Sequence, residues 1–330
     1  MGQTRDGRAS AKRLLTLAGA LFLCLTCVQC GDGTPTGPTP PPTTGPPTTG
    51  PPTTGPPTEG PPVVLPPVPA QIFVGAGDIG WCGSPGTPKT GQLADGAGGT
   101  VFTAGDNAYM TGTAQEFQNC YAPYWGGFKS RTFPTLGNHE YEGAGPAPYF
   151  NYFGANAVNN GPPGLGYYSF ELGDAWHAIA LNSNIDVSQG SAQGQWLRFD
   201  LASSQKKCTV AYWHHPLFTS GPNLDNPKMR DFWRMLYAAG VDIVINGHDH
   251  LYERYAPQDP DGRFDPAHGI RQFIVGTGGA QLYNFVTRKT NSEVQISNYG
   301  VLKFTLLTDS YQWEFIPVSG QSDFGNDKCH

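Results

Sequence analysis

Two aspartates, a tyrosine, an asparagine and four histidines recur at one kind of place in this chain, just past a short apolar run. Asp78 follows "QIFVGA" in "GDIG", Asp106 and Tyr109 follow "TVFTA" in "GDNAY", and Asn138 and His139 follow "TFPTL" in "GNHE". His214 follows "CTVAYW", and His248 and His250 close "VDIVINGHDH". His139 apart, these side chains form a mixed set of oxygen and nitrogen donors. Lacking thiolates, such a set suits two hard or borderline metals of the iron, zinc or manganese kind better than a structural zinc. Singly, each block has a plainer reading: aspartate after glycine makes a turn, Asn138 could cap, and His214 or His215 could be a satisfied core imidazole. An accidental inventory of turns, however, has no reason to end five separate apolar runs with ligand chemistry. His177, His268 and His330 stand outside the pattern.

The apolar runs are four to seven residues long and lean to β-branched and aromatic residues, which predicts strands. Helix-length stretches lie between them at 112–120, 191–203 and 226–240, the last punctuated by Pro227 at its first turn and Gly240 at its end. Alternation of this kind implies parallel pairing and an α/β architecture. Towards the C-terminus "IRQFIVGTGG", "GVLKFTLL" and "SYQWEFIPV" read as strands with little helix between them, as do "YYSFEL" and "WHAIALN" earlier. The expected fold is therefore a mixed sheet, or two sheets packed face to face and flanked by helices. In either, residues just past strand C-termini converge on one crevice.

In order, the blocks D, GD-x-x-Y, GNH[ED], a histidine after a strand and GH-x-H resemble the calcineurin-like metallophosphoesterases, and among them the purple acid phosphatase branch. Gly80 in the first block, Tyr109 three residues after Asp106, and "GHDHLYER" carry the likeness to that branch, and it covers about 71 to 316. The resemblance implies two packed mixed β-sheets flanked by helices, with a dinuclear metal site at strand C-terminal ends. It implies that Asp78, Tyr109 and His250 bind a ferric ion, that Asn138, His214 and His248 bind Fe2+, Zn2+ or Mn2+, and that Asp106 bridges the two. His139 matches the position that contacts phosphate and stabilises the leaving group, whereas His215 is beside a ligand and is not one. The implied activity is hydrolysis of phosphate monoesters by a metal-activated water. A phosphodiesterase or nucleotidase with the same centre is the alternative, and a non-catalytic envelope binding protein a more distant one. The stretch "LFTSGPNLDN" lacks the further histidines that plant members carry after this ligand, and a spacer replaces their N-terminal domain.

That spacer is preceded by Arg5, Arg8, Lys12 and Arg13 and an uncharged apolar stretch from Leu14 to Val28, the pattern of a secretory signal over 1–30. Cys30 before "GDG" leaves two fates open, lipidation as a membrane tether or simple cleavage. Residues 31–70 hold 16 of the 31 prolines and repeat "GPPTT", which predicts an extended linker. Residues 71–330 form the expected catalytic domain, long enough for a large core. The net charge of −6 leaves no basic footprint for nucleic acid, so the expected partner is a small phosphate ester. Export to a secreted or cell-envelope location would let Cys82, Cys120, Cys208 and Cys329 form two disulfides. Of three connectivities, Cys82 with Cys120 and Cys208 with Cys329 is preferred.

Overall fold

The computed structural model describes residues 69–330; the expected signal segment and the linker as far as residue 68 lie outside the described residues. The strands run, in chain order, β1 (Gln71–Ala76), β2 (Thr100–Thr103), β3 (Thr132–Pro134), β4 (Tyr168–Leu172), β5 (Trp176–Ala180), β6 (Cys208–Tyr212), β7 (Ile243–Asn246), β8 (Tyr252–Tyr255), β9 (Arg271–Val275), β10 (Ser292–Ile296), β11 (Gly300–Leu306), β12 (Ser310–Pro317) and β13 (Asp323–Lys328). They make two mixed sheets, ordered β13-β12-β11-β1-β2-β3 and β10-β8-β9-β7-β6-β5-β4. All five apolar runs that end in candidate ligands are strands. β1, β2 and β3 are mutually parallel in the first sheet, and β6 and β7 are parallel in the second.

The sheets face each other across one core. Phe73 of β1 meets Tyr212 of β6 with ring centres 5.7 Å apart, and Phe273 of β9 meets Phe304 of β11 at 5.2 Å. Fully burying a side chain of this size is worth about 1.5–3 kcal/mol. In the second sheet, alternate residues divide between its two faces. Ile243 and Ile245 enter the inter-sheet core, and Val244 enters an outer cluster. That cluster is closed by helix Ala192–Ser203, through Leu197, and by helix Arg230–Ala238, through Phe232, Trp233 and Leu236. Ser191 caps the first, accepting the Gly194 N–H at 3.0 Å. Helix Thr87–Ala97 was not expected: "TPKTGQLADGA" carries two glycines and no apolar period. Helix Ala147–Phe153 and strands β8, β10 and β13 were likewise unforeseen.

The preferred disulfides both form, Cys82–Cys120 with Cα atoms 4.6 Å apart and Cys208–Cys329 with 5.4 Å. The second ties the start of β6 to the residue after β13, one sheet to the other. A second tie comes from "YER". Tyr252 Oη donates to Asp323 Oδ2 at 2.7 Å, and Arg254 Nε donates to the same oxygen at 2.7 Å, so β8 of one sheet grips the first residue of β13 in the other. Among the described residues no helix is long and apolar enough to cross a membrane.

Candidate metal centre

Each candidate ligand sits in the loop that leaves its strand, and the loops bend sharply. Asp78, Asp106 and His248 have φ of 59°, 50° and 70°, left-handed conformations that side chains other than glycine rarely adopt. Each costs about 1–3 kcal/mol and persists only where the surroundings impose it. Space is equally constrained. A Cβ on Gly137 would lie 2.0 Å from Asp106 Oδ1, so only glycine lets the β3 loop close over that carboxylate.

The eight predicted side chains converge. Tyr109 Oη donates to Asp78 Oδ1 at 2.7 Å and lies 3.2 Å from His250 Nε2, which is 3.3 Å from the same Asp78 oxygen. His214 Nε2 lies 3.1 Å from Asn138 Oδ1 and 3.2 Å from His248 Nδ1. Between these two trios stands Asp106, whose Oδ2 is 3.0 Å from Tyr109 Oη and 3.1 Å from His214 Nε2. The other oxygen is fixed by the His139 N–H at 2.9 Å. His139 belongs to neither trio. Its Nδ1 is 2.6 Å from the Met110 carbonyl, and its Nε2 is 3.7 Å from Asp106 Oδ2.

The donor set fits two cations. Bonds of 2.0–2.2 Å at right angles put neighbouring ligand atoms about 3 Å apart, and the contacts within each trio have that length. Two imidazole nitrogens facing each other at 3.2 Å, as His214 and His248 do, are better reconciled by a shared cation than by one proton. The electrostatics agree. Burial disfavours the His214 imidazolium, yet Asp106 against it and Asp78 beyond raise it to about 9. Burial would raise the Asp106 carboxyl, but His214 and His139 hold it below the usual carboxylate range. Burial and then His214 push His248 down to about 2, and burial, Asp106 and Asp78 hold the Tyr109 phenol well above its ordinary value. Protons here stand in for positive charge that the ligand set calls for. Second contacts aim the rings: His214 Nδ1 is 2.8 Å from the Ala104 carbonyl and His250 Nδ1 2.7 Å from that of Gln281, which turns each Nε2 inward.

Three residues do more than the sequence disclosed. Glu140, fully buried, accepts the backbone N–H of Gly137 at 2.7 Å, of Asn107 at 2.6 Å and of Asp106 at 3.1 Å, tying the β2 and β3 loops together. Its place in "GNHE" was the available signal. Asp249 reads in sequence as a spacer between His248 and His250; instead it is buried and accepts Thr219 Oγ1 at 2.6 Å and the Asn223 N–H at 3.2 Å, anchoring the loop after β6. Tyr283 stacks on His250 with ring centres 4.1 Å apart, and no motif marks it. His215 lies beside His248, its Nδ1 2.8 Å from Ser183 Oγ. His177 pairs with Asp200 and Glu171, His330 lies 3.4 Å from Asp242, and His268 is exposed, all apart from the centre.

A two-sheet fold with such a centre defines a metallophosphoesterase. The sequence profile of the calcineurin-like phosphoesterases matches residues 69–252, and the chain belongs to that family. Its relatives place it in the purple acid phosphatase-like branch. It is 28% identical over 245 residues to purple acid phosphatase 15 of Arabidopsis thaliana, covering 64% of this chain and 45% of that protein. It is 31% identical over 212 residues to probable purple acid phosphatase 20 of the same plant, covering 57% and 48%. The chain thus spans less than half the length of these relatives. Among solved structures, the purple acid phosphatase PPD1 of yellow lupin superposes with a TM-score of 0.68 at 21% identity, over 79% of this chain and 54% of that one. A dimetal phosphatase from Danio rerio superposes with a TM-score of 0.56 at 12% identity, over 78% and 98%.

Proposed function

We propose that this chain is an exported, dinuclear-metal phosphatase that hydrolyses phosphate monoesters. The observation that carries the reading is the position of Asp106 Oδ2, within 3.1 Å of an atom from each trio, where one carboxylate oxygen can serve two cations. Asp78, Tyr109 and His250 would hold a ferric ion, Asn138, His214 and His248 would hold Fe2+, Zn2+ or Mn2+, and Asp106 would touch both. Two cations so held would neutralise phosphate charge and supply an activated water at neutral pH. The residues of the chain supply the rest. Buried carboxylates and inward-turned imidazoles keep the centre ordered before substrate arrives. His139, tethered through Nδ1 to the Met110 carbonyl, presents Nε2 beside Asp106, where it can donate to oxygens gaining charge. Two disulfides suit an oxidising compartment, in keeping with the N-terminal signal pattern, and Cys30 would provide a lipid tether.

Metal analysis of the purified chain, with turnover of matched aryl mono- and diesters before and after chelation, tests the reading. Two metals per chain and chelator-sensitive turnover that favours the monoester are expected. No turnover with two metals bound would overturn it.

A further inference from the structure

Helices Ala192–Ser203 and Arg230–Ala238 cover the face of the second sheet that is turned away from the inter-sheet core. Each links two neighbouring parallel strands, β5 to β6 and β6 to β7, so the two helices run in the same direction. Their starts adjoin, since the Gln189 N–H donates to Asp231 Oδ2 at 3.4 Å. Leu197, Phe232 and Leu236 pack inward on the sheet. Farther out, the residues that face each other across the seam are small, and a groove of about 470 Å³ is left between the helices. Leu201 and Met235 floor it, and the exposed Ala202 and Ala238 edge it.

The groove is polar at one end only. Gln189 and Arg234 belong to the end where the helices begin, and Arg198 leans the same way, because helix side chains tilt towards the N-terminus. Among the described residues Arg198 has no ion-pair partner, and Arg234 has only Asp231, 3.5 Å away and shared with the Gln189 N–H. Asp200, two residues from Arg198, is engaged by His177 and Ser169. Two guanidiniums therefore stand against one carboxylate beside apolar surface, on a chain whose net charge is −6.

We infer that this groove binds a single-chain anionic amphiphile, a fatty-acid carboxylate, with its head between Arg198 and Arg234 and its chain along Leu201, Ala202, Met235 and Ala238. A guanidinium offers a carboxylate a planar fork of donors. The volume lies within the range of about 300–1,000 Å³ typical of small-ligand pockets. Past the arginines the lining side chains carry no donor or acceptor, whereas a bound acidic peptide would need partners for its main-chain N–H and C=O groups. An acyl chain needs none. The groove shares no residue with the candidate metal centre, and the inference is independent of the phosphatase reading.

The test is calorimetric titration of the metal-loaded chain with dodecanoate below its micelle concentration, in excess inorganic phosphate so that carboxylate binding at the metal centre is suppressed. One dodecanoate per chain is expected, bound more than about tenfold more tightly than octanoate, because each further buried methylene adds to affinity. Replacing both arginines, Arg198→Ala with Arg234→Ala, is expected to weaken dodecanoate by about tenfold or more and to leave uncharged dodecanol unchanged. Ala238→Trp fills the groove and is expected to weaken both. All three substitutions fall at exposed helix positions, and circular dichroism checks that each variant is folded. Equal affinity for octanoate and dodecanoate, or affinities unchanged in both variants, would overturn the inference. So would displacement of dodecanoate by an oligoglutamate peptide that binds more tightly, which would make the groove a docking surface for an acidic protein segment.

Discussion

Asp106 and His214 come from different sheets and face each other at 3.1 Å in the interior, Asp106 from the loop after β2 and His214 from the end of β6. The centre is therefore a seam between the sheets, and its integrity depends on their relative placement.

Asp106→Ala removes the one carboxylate shared by both trios. Metal content measured by mass spectrometry is expected to fall towards zero, and turnover by more than about a thousandfold. Near-normal metal and activity in this variant would contradict the bridging role.

Tyr109→Phe keeps the ring between His139 and Trp81, whose centres lie 4.5 and 5.4 Å away, and deletes only the oxygen. If that oxygen binds ferric iron, the visible band of the wild-type chain disappears while the far-ultraviolet spectrum stays the same. A band that survives the substitution assigns the colour to something other than Tyr109.

Glu140→Gln puts an amide where four main-chain N–H groups, of Asp106, Asn107, Ala108 and Gly137, need an acceptor. Because it loosens the loops bearing Asp106 and Asn138, apparent metal affinity is expected to drop about 10–100-fold. Calorimetric titration of the metal-free variant reads this directly, and an unchanged isotherm would make Glu140 a bystander.

His177 gives a pH signature remote from the centre. Burial opposes its charge, but Asp200 at 2.7 Å and Glu171 at 3.2 Å outweigh burial and raise its pKa above the ordinary value of 6.5. The stabilisation is present in full below the unfolded pKa and is lost as pH rises through the folded one. His177→Gln should therefore cost about 1–2 kcal/mol near pH 5 and progressively less in alkali, read as the difference in denaturant midpoint across pH. A constant difference would rule out the charged pair.

The candidate ligands were legible in the sequence because a strand end imposes an order that local chemistry can reveal: an apolar run, then a donor, with a glycine between them at every such end but that of β6, where Trp213 precedes His214. β1, β2 and β3 of the first sheet and β6 and β7 of the second announced themselves by such ends, whereas the parallel strands β5 and β9 end in no candidate ligand. A strand such as β13, "DFGNDK", could not, since it pairs at an edge and inverts the usual pattern, Asp323 turning inward to Tyr252 and Arg254 while Phe324 is exposed. Glu140 and Asp249 stood in plain view within motifs. Their work is to receive main-chain N–H groups from segments distant along the chain, and no side-chain pattern advertises a backbone donor. Tyr283 was invisible for a different reason, because its stacking on His250 depends on where the segment after β9 folds back.

The grip of Tyr252 and Arg254 on Asp323 and the bond between Cys208 and Cys329 tie β13 and the residue after it to the second sheet. Every candidate ligand precedes residue 251, yet β8, which follows His248 and His250, and β6, which leads to His214, are tied to the other sheet by residues 323–329. The growing chain consequently carries a complete set of ligands before it carries a finished site. A version ending at residue 318 is expected to bind metal weakly and exchange it rapidly, as radiolabelled zinc would reveal. A stable dinuclear centre is therefore expected only once residues 323–329 have closed on the second sheet.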